Sequence, residues 1–156
     1  MDPLLKKLNH KDHGPIFVLG APPDLAPAFE PWRATAPVDL GPVDATVPAE
    51  TRFLLGFATT LDQVATIAAT AAALAPGDVV VWCAYPKSSS KRYKCAFNRD
   101  TGWAALGAAE FEPVRQVALD EDWSALRFRR VSFIQTMTRS FAMTEAGQEK
   151  AARARG

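Results

Sequence analysis

Apolar residues are grouped along this chain in short continuous runs, separated by polar, proline-rich or alanine-rich segments. Runs of this kind, bounded by turn residues, are typical of strands that are covered on both faces of a parallel sheet. The sequence predicts three such strands, at residues 15–20, 52–58 and 78–85. A fourth, short strand is expected near residues 35–40, although prolines interrupt residues 31–48 and weaken the pattern there.

The clearest helical signal lies between the second and third of these strands. Thr60 and Gln63 have the spacing of a capping box, and an alanine-rich stripe follows until Ala75, where Pro76-Gly77 ends the helix. A strand, a helix and a second strand in this order predict a right-handed crossover with parallel strands.

The rest of the pattern is shorter. Helical turns are predicted at residues 4–8, as a packing arm or lid, at 24–32 and at 101–109. Two strands at residues 114–119 and 124–131 are joined by only four residues, and so short a connection predicts an antiparallel hairpin.

These elements predict one α/β domain over residues 1–131, a Rossmann-like three-layer fold whose mostly parallel sheet ends in the antiparallel hairpin. The order strand, helix, strand, helix, hairpin resembles the C-terminal half of a class I methyltransferase, in which the last two strands insert antiparallel at the sheet edge. The whole domain would then resemble a truncated class I methyltransferase. Residues 132–156 are predicted to be an extension that docks in part and is disordered at its end.

The composition narrows the class of protein. The 156 residues are 48% hydrophobic and 22% charged with a formal net charge of +1, an ordinary globular balance without a global attraction to nucleic acid or membrane. No apolar run approaches the ~20 residues of a membrane span, and residues 1–13 lack the apolar core of a secretory signal. We therefore expect a cytoplasmic protein, no membrane partner, and reduced thiols at Cys83 and Cys95.

In a parallel α/β sheet, ligands bind beyond the carboxyl ends of the strands. The first such loop, residues 20–24, contains one glycine and two prolines, which lack backbone N–H donors. This disfavours binding of a nucleotide or of S-adenosylmethionine in the glycine-loop mode, and we predict no cofactor. The alternative is an unusual pocket that uses Asp24. The next loop, at Thr59 and Thr60, is explained by helix capping.

The loop after the third strand is the main candidate site. Residues 85–99 carry five basic residues, three consecutive serines and no acid, a mixture that can neutralise phosphate oxygens. The alternative is a solvated surface loop, since the spacing matches no P-loop. The candidate ligand-binding residues are Tyr85, Lys87, Ser88, Ser89, Ser90, Lys91, Arg92, Lys94, Asn98 and Arg99.

Trp123 and Arg127 are further candidates, because an aromatic residue beside Asp120 and Asp122 can line a pocket. The alternative is that Trp123 closes the edge of the core and Arg127 pairs with an aspartate. The two histidines lie in the turn at residues 10–13 without further ligands, so no metal site is expected and no nucleophile pattern is present.

The segments Tyr85-Pro86-Lys87, Asn98-Arg99-Asp100 with Trp103, and residues 115–120 and 122–129 resemble a bacterial domain family of unknown function, domain-of-unknown-function family 3052. The likeness extends more weakly to residues 15–21. The resemblance implies the fold and a bacterial source, and no mechanism. Residues 31–48 depart from the family, which leaves the strand there in doubt.

These observations favour a non-catalytic binding module for an anionic partner, either a small molecule such as a nucleotide or phosphate, or a nucleic acid. The first alternative is a divergent methyltransferase or other Rossmann-like enzyme with a pocket around Tyr85, Asn98, Asp120 and Trp123; a bound small molecule would favour it. The second is a homo-oligomeric interaction module, such as a homodimer, that uses the hairpin edge and residues 133–143; the mass in solution would reveal it.

Overall fold

The computed structural model describes residues 1–97 and 102–134. The described strands form one six-stranded sheet in the order β2-β1-β3-β4-β6-β5. They are β1 (Ile16–Leu19), β2 (Val38–Gly41), β3 (Phe53–Phe57), β4 (Val80–Pro86), β5 (Phe111–Ala118) and β6 (Trp123–Arg130). The α-helices are α1 (Pro3–Lys7), α2 (Ala26–Phe29), α3 (Leu61–Ala72) and α4 (Ala104–Ala108).

Four neighbouring strands, β2, β1, β3 and β4, are parallel, as the apolar runs predict. Every residue of β3 and β4 is buried, because helices cover both faces of the sheet centre. The short strand expected near residues 35–40 is present as β2, at the sheet edge. Its exposed Asp39 and Leu40 are compatible with that edge position.

The crossover from β3 through α3 to β4 is also confirmed. The Thr60 hydroxyl accepts the N–H of Gln63 at 3.2 Å, and the Gln63 side chain accepts the N–H of Thr60 at 3.3 Å, which completes the capping box. The helix ends at Ala72, three residues before the predicted Ala75. The reason is a contact distant in sequence: the N–H of Ala75 donates to the Ala49 carbonyl at 2.7 Å, which draws the chain off the helix.

The predicted hairpin is present, with one difference in direction. β6 is inserted between β4 and β5 and runs antiparallel to both, so β5 runs in the same direction as β4. Only one of the last two strands is therefore reversed. β5 begins at Phe111, before the predicted residue 114, because a register irregularity at Pro113 on this edge strand accommodates the missing N–H.

The sheet separates two cores, which makes three layers. One face packs against α3 and α4 and includes Leu54, Val81 and Phe128. The other face packs against α1, α2 and the 3₁₀ turn at Glu30–Ala34. There the buried indole of Trp82 donates to the Leu8 carbonyl at 2.8 Å, so the N-terminal helix is a docked packing arm.

Within residues 1–97 and 102–134, the helices are all too short or too polar to span a bilayer. Cys83 and Cys95 are both free thiols. Of the predicted extension, residues 135–156 lie outside the described residues.

Candidate functional site

Because β1, β3 and β4 are parallel, their carboxyl ends lie at one edge of the sheet, and the loops that follow them meet there. These loops are residues 20–25, 58–60 and 87–97. The structure gives these three loops different roles.

The loop after β1 has few groups left for a ligand. Gly20 has a φ of +76°, its N–H donates to the Gly41 carbonyl at 2.8 Å, and a Cβ at this position would lie 3.1 Å from the Cβ of Val43. Pro22 and Pro23 have no N–H, and the N–H of Leu25 donates to the Pro22 carbonyl at 2.9 Å. The backbone N–H groups that a glycine-rich loop would donate to an anion are therefore missing or already hydrogen-bonded here, and Val43 packs against the glycine.

Asp24 in this loop is already engaged. Its carboxylate accepts the Tyr93 hydroxyl at 3.0 Å and the Arg92 guanidinium at 2.7 Å. The hydrogen bond from Tyr93 lowers the pKa of Asp24, against the opposing effect of partial desolvation, and the hydrogen bond from Arg92 lowers it further. Asp24 thus stays ionised and ties the loop after β4 to the loop after β1.

The segment after β4 is anchored to the hairpin as well. The N–H of Lys87 donates to the Asp122 carbonyl at 2.8 Å, and the Ser90 hydroxyl donates to the Asp122 carboxylate at 2.8 Å. Ser90 also accepts the N–H of Tyr93 at 3.1 Å, and the Tyr93 ring packs 5.0 Å from Trp123. The segment is therefore a structured arm between two loops and not a free surface loop.

This arm and the sheet enclose an open cleft of about 1190 Å³. Its described lining consists of Tyr85, Pro86, Lys87, Ser88, Ser89, Ser90, Tyr93, Lys94, Cys95, Ala96, Phe97, Gln116, Ala118 and Ser124. Sequence reasoning missed Gln116 and Ser124. Tyr85, Ser124 and Ala118 lie in one row across β4, β6 and β5, so strand register brings polar positions of the hairpin beside the loop.

The cleft carries unpaired positive charge. Within the described part of the chain, Lys87 and Lys94 have no side-chain hydrogen bond or ion pair, and no acidic residue belongs to the lining. Ser88 and Ser89 add exposed hydroxyls, and Gln116 adds an amide. Burial raises the pKa of Cys95, so its thiol is protonated at neutral pH and is a poor nucleophile.

The structure places the other predicted residues elsewhere. Lys91 is exposed and does not belong to the lining, and Arg92 is held by Asp24. Asn98 and Arg99 lie outside the described residues. Of the described basic residues of the arm, Lys87 and Lys94 therefore line the cleft, Arg92 makes a structural contact and Lys91 is exposed to solvent.

Trp123 and Arg127 have different environments within the described residues. Trp123 is 2% exposed and packs in the core beside Phe57 at 5.1 Å. The Asp120 carboxylate accepts the N–H groups of Asp122 and Trp123 at 2.8 Å each, and so shapes the hairpin turn rather than pairing with Arg127. Arg127 lies further along β6, opposite Arg115 on the face that α1 covers in part.

No protein-family model matches the chain, and no curated protein matches it. Among solved structures it is similar to an S-adenosylmethionine-dependent methyltransferase from Aquifex aeolicus, with a TM-score of 0.60 and 10% identity over 81% of this chain and 87% of that chain. It is also similar to the N-methyltransferase NodS from Bradyrhizobium japonicum, with a TM-score of 0.51 and 14% identity over 81% and 92% of the two chains.

Likeness at such low identity shows the fold alone. The protein is an α/β protein with a truncated class I methyltransferase fold, as the order of its elements predicts. Its site has to be interpreted from its own residues.

Proposed function

We propose that this chain is a non-catalytic binding module that holds a phosphate-bearing small molecule in the cleft beside β4. The observation that carries the proposal is the pair of unpaired ammonium groups of Lys87 and Lys94 in a cleft whose described lining has no acid. Ammonium groups beside hydroxyls and an amide are the donors that recognise phosphate oxygens. A cleft of about 1190 Å³ is large enough for a nucleotide.

The fold is also that of proteins that use S-adenosylmethionine, and the glycine-loop mode would place that cofactor against the loop after β1. Val43 packs against Gly20, two prolines remove donors, and the Asp24 carboxylate is held by Arg92 and Tyr93. These residues do not fit the cofactor in the glycine-loop mode. Loss of the usual cofactor loop therefore favours binding over methyl transfer.

Calorimetry with ADP as the probe tests the proposal at low salt. Replacing Lys94 by Ala is expected to weaken ADP binding by about 10- to 150-fold, because it removes a charge-assisted hydrogen bond worth about 1.5–3 kcal/mol. The matched control is Lys91→Ala, which removes the same charge from the same arm outside the cleft and is expected to leave affinity within about twofold.

Three results would count against the binding-module assignment. The first is the absence of ADP binding at about 50 mM salt, where electrostatic attraction is strong. The second is an equal loss of affinity in both lysine variants, which would indicate general charge attraction. The third is tight binding of S-adenosylmethionine that is lost when residues 20–24 are mutated, which would favour the methyltransferase-like alternative.

A further inference from the structure

Two arginines face each other on the opposite side of the sheet from the cleft. Arg115 of β5 and Arg127 of β6 are direct register partners, and they lie on the same face as Val117 and Ala125, which belong to the core beneath α1. Directly opposed residues have Cβ atoms about 4.5–5.5 Å apart, and two like charges at that distance destabilise the strand pair. An anion bound between the two arginines would therefore stabilise this edge of the sheet.

Neither arginine has such a partner within residues 1–97 and 102–134. The Nε of Arg127 is buried and has no hydrogen-bond acceptor, and Arg115 is exposed without an ion pair. Two carboxylates lie nearby, but both are placed beside the next arginine. Asp78 accepts Arg129 at 3.0 and 2.7 Å, and Glu112 is the register partner of Arg129.

The lowered pKa values of Arg127 and His13 indicate an excess of positive charge on this face. Burial lowers the pKa of Arg127, and Arg129 and Arg115 act in the same direction while Asp78 opposes them. Burial also lowers the pKa of His13, and Arg52, His10 and Arg127 lower it further, while Asp78 opposes them. His13 therefore senses the same field that an anion beside Arg127 would reduce.

The position itself does not require a charge for folding. Across the strand pair from Arg127 lies Trp82, whose side chain is completely buried. An apolar side chain would pack there without the cost of leaving a half-buried guanidinium unpaired. What a guanidinium adds at this position is a planar set of donors, and two such sets side by side match the oxygens of a phosphate group.

We propose that Arg115 and Arg127 form a second phosphate-binding site, on the β5–β6 face and separate from the cleft. The bound group is a phosphate that accepts from both guanidinium groups, carried either by a small phosphate ester or by a nucleic-acid backbone. The site is independent of the proposed function of the cleft, because it uses other residues on the other face of the sheet.

The test is a titration with inorganic phosphate, followed by the ¹⁵N resonance of Arg127 Nε and by the pKa of His13. We expect the Nε resonance to move and the pKa of His13 to rise as phosphate binds. Arg127→Met should weaken phosphate binding at least tenfold while its melting temperature without phosphate equals or exceeds that of the wild type. Arg33→Met, the same change beside β2 at the opposite sheet edge, should bind as the wild type does.

If Arg127→Met does not fold, Arg127→Lys replaces it in the titration, because lysine keeps the positive charge and lacks the planar guanidinium. Arg127→Lys should also weaken phosphate binding at least tenfold. Lys94→Ala should leave the Arg127 response intact, which separates this site from the cleft. Repeating the titration with glycerol phosphate and with a short oligothymidylate distinguishes a small phosphate ester from a nucleic-acid backbone as the natural source of the phosphate. The source is the one whose probe binds more tightly. An unmoved Nε resonance at about 50 mM phosphate, or undiminished binding by the Arg127 variants, would overturn the proposal.

Discussion

At the start of β6, the indole of Trp123 fills the space between Phe57 and Tyr93, whose rings lie 5.1 and 5.0 Å away. Its Nε1 is buried without a hydrogen-bond partner in the described part of the chain, so the residue contributes packing rather than polar contacts. Through Tyr93 the same ring also supports the arm that lines the cleft. A core residue therefore positions the candidate site without touching its contents.

Replacing Trp123 by Ala is expected to lower the free energy of unfolding by about 3–5 kcal/mol, the usual cost of deleting a buried aromatic side chain. Trp123→Phe should cost much less, because it keeps an aromatic ring and removes an unsatisfied donor. Urea denaturation of both variants measures the difference. An unchanged stability of Trp123→Ala together with lost ADP binding would instead show that the indole is a ligand contact.

At the scale of elements, the contact between β3 and α3 depends on one glycine. A Cβ built at Gly56 would lie 2.7 Å from the Cδ1 of Ile67, closer than side chains pack. The helix can approach the sheet only because this strand position has no side chain, while the alanine-rich stripe of α3 keeps the remaining contacts close.

Gly56→Ala is therefore expected to destabilise the protein by about 1–3 kcal/mol through overpacking. Ile67→Ala in the same chain removes Cδ1, Cγ1 and Cγ2, which would lie 2.7, 2.8 and 3.1 Å from that Cβ, and should restore part of the loss, although Ile67→Ala alone costs about 2–5 kcal/mol. Thermal unfolding of the two single variants and the double variant gives the coupling between the positions. Strict additivity would mean that Gly56 and Ile67 do not clash.

Elements of this kind are predictable because their signals are local. The apolar runs of β1, β3 and β4 and the Thr60–Gln63 capping box are written in adjacent residues, and each is confirmed. The site depends on contacts distant in sequence. Arg92 meets Asp24 across 68 residues and Ser90 meets Asp122 across 32, and no periodicity in the arm predicts either bond. The basic residues of this loop therefore look equivalent in the sequence, whereas the described ones, Lys87, Lys91, Arg92 and Lys94, have different environments in the structure.

At the scale of the whole molecule, a net charge of +1 conceals a separation of charge. Lys87 and Lys94, which have no ion-pair partner among the described residues, lie in the cleft on one side of the sheet, and Arg115 and Arg127 lie on the other. The acidic residues Asp24, Asp78 and Asp122 hold structural contacts instead of neutralising these groups. Two separate cationic surfaces on a nearly neutral protein favour short anionic ligands over a long polyanion.

Salt dependence measures how many of these cations act together on one ligand. If two cleft lysines meet the phosphates of an oligothymidylate of about four nucleotides, the log–log slope of affinity against salt should be about −1.4, from about −0.7 per contact. Engagement of all five basic residues of the loop at 87–99 would give about −3.5. Fluorescence anisotropy between about 50 and 200 mM salt distinguishes the two values. In a chain that also carries Arg127→Met, which removes the second site, Lys87→Ala with Lys94→Ala should bring the slope close to zero. Lys91→Ala should leave the slope unchanged, because Lys91 lies outside the cleft. A slope near −3.5 whose magnitude decreases as much in Lys91→Ala as in Lys87→Ala or Lys94→Ala would show that the ligand contacts the whole loop rather than the cleft alone.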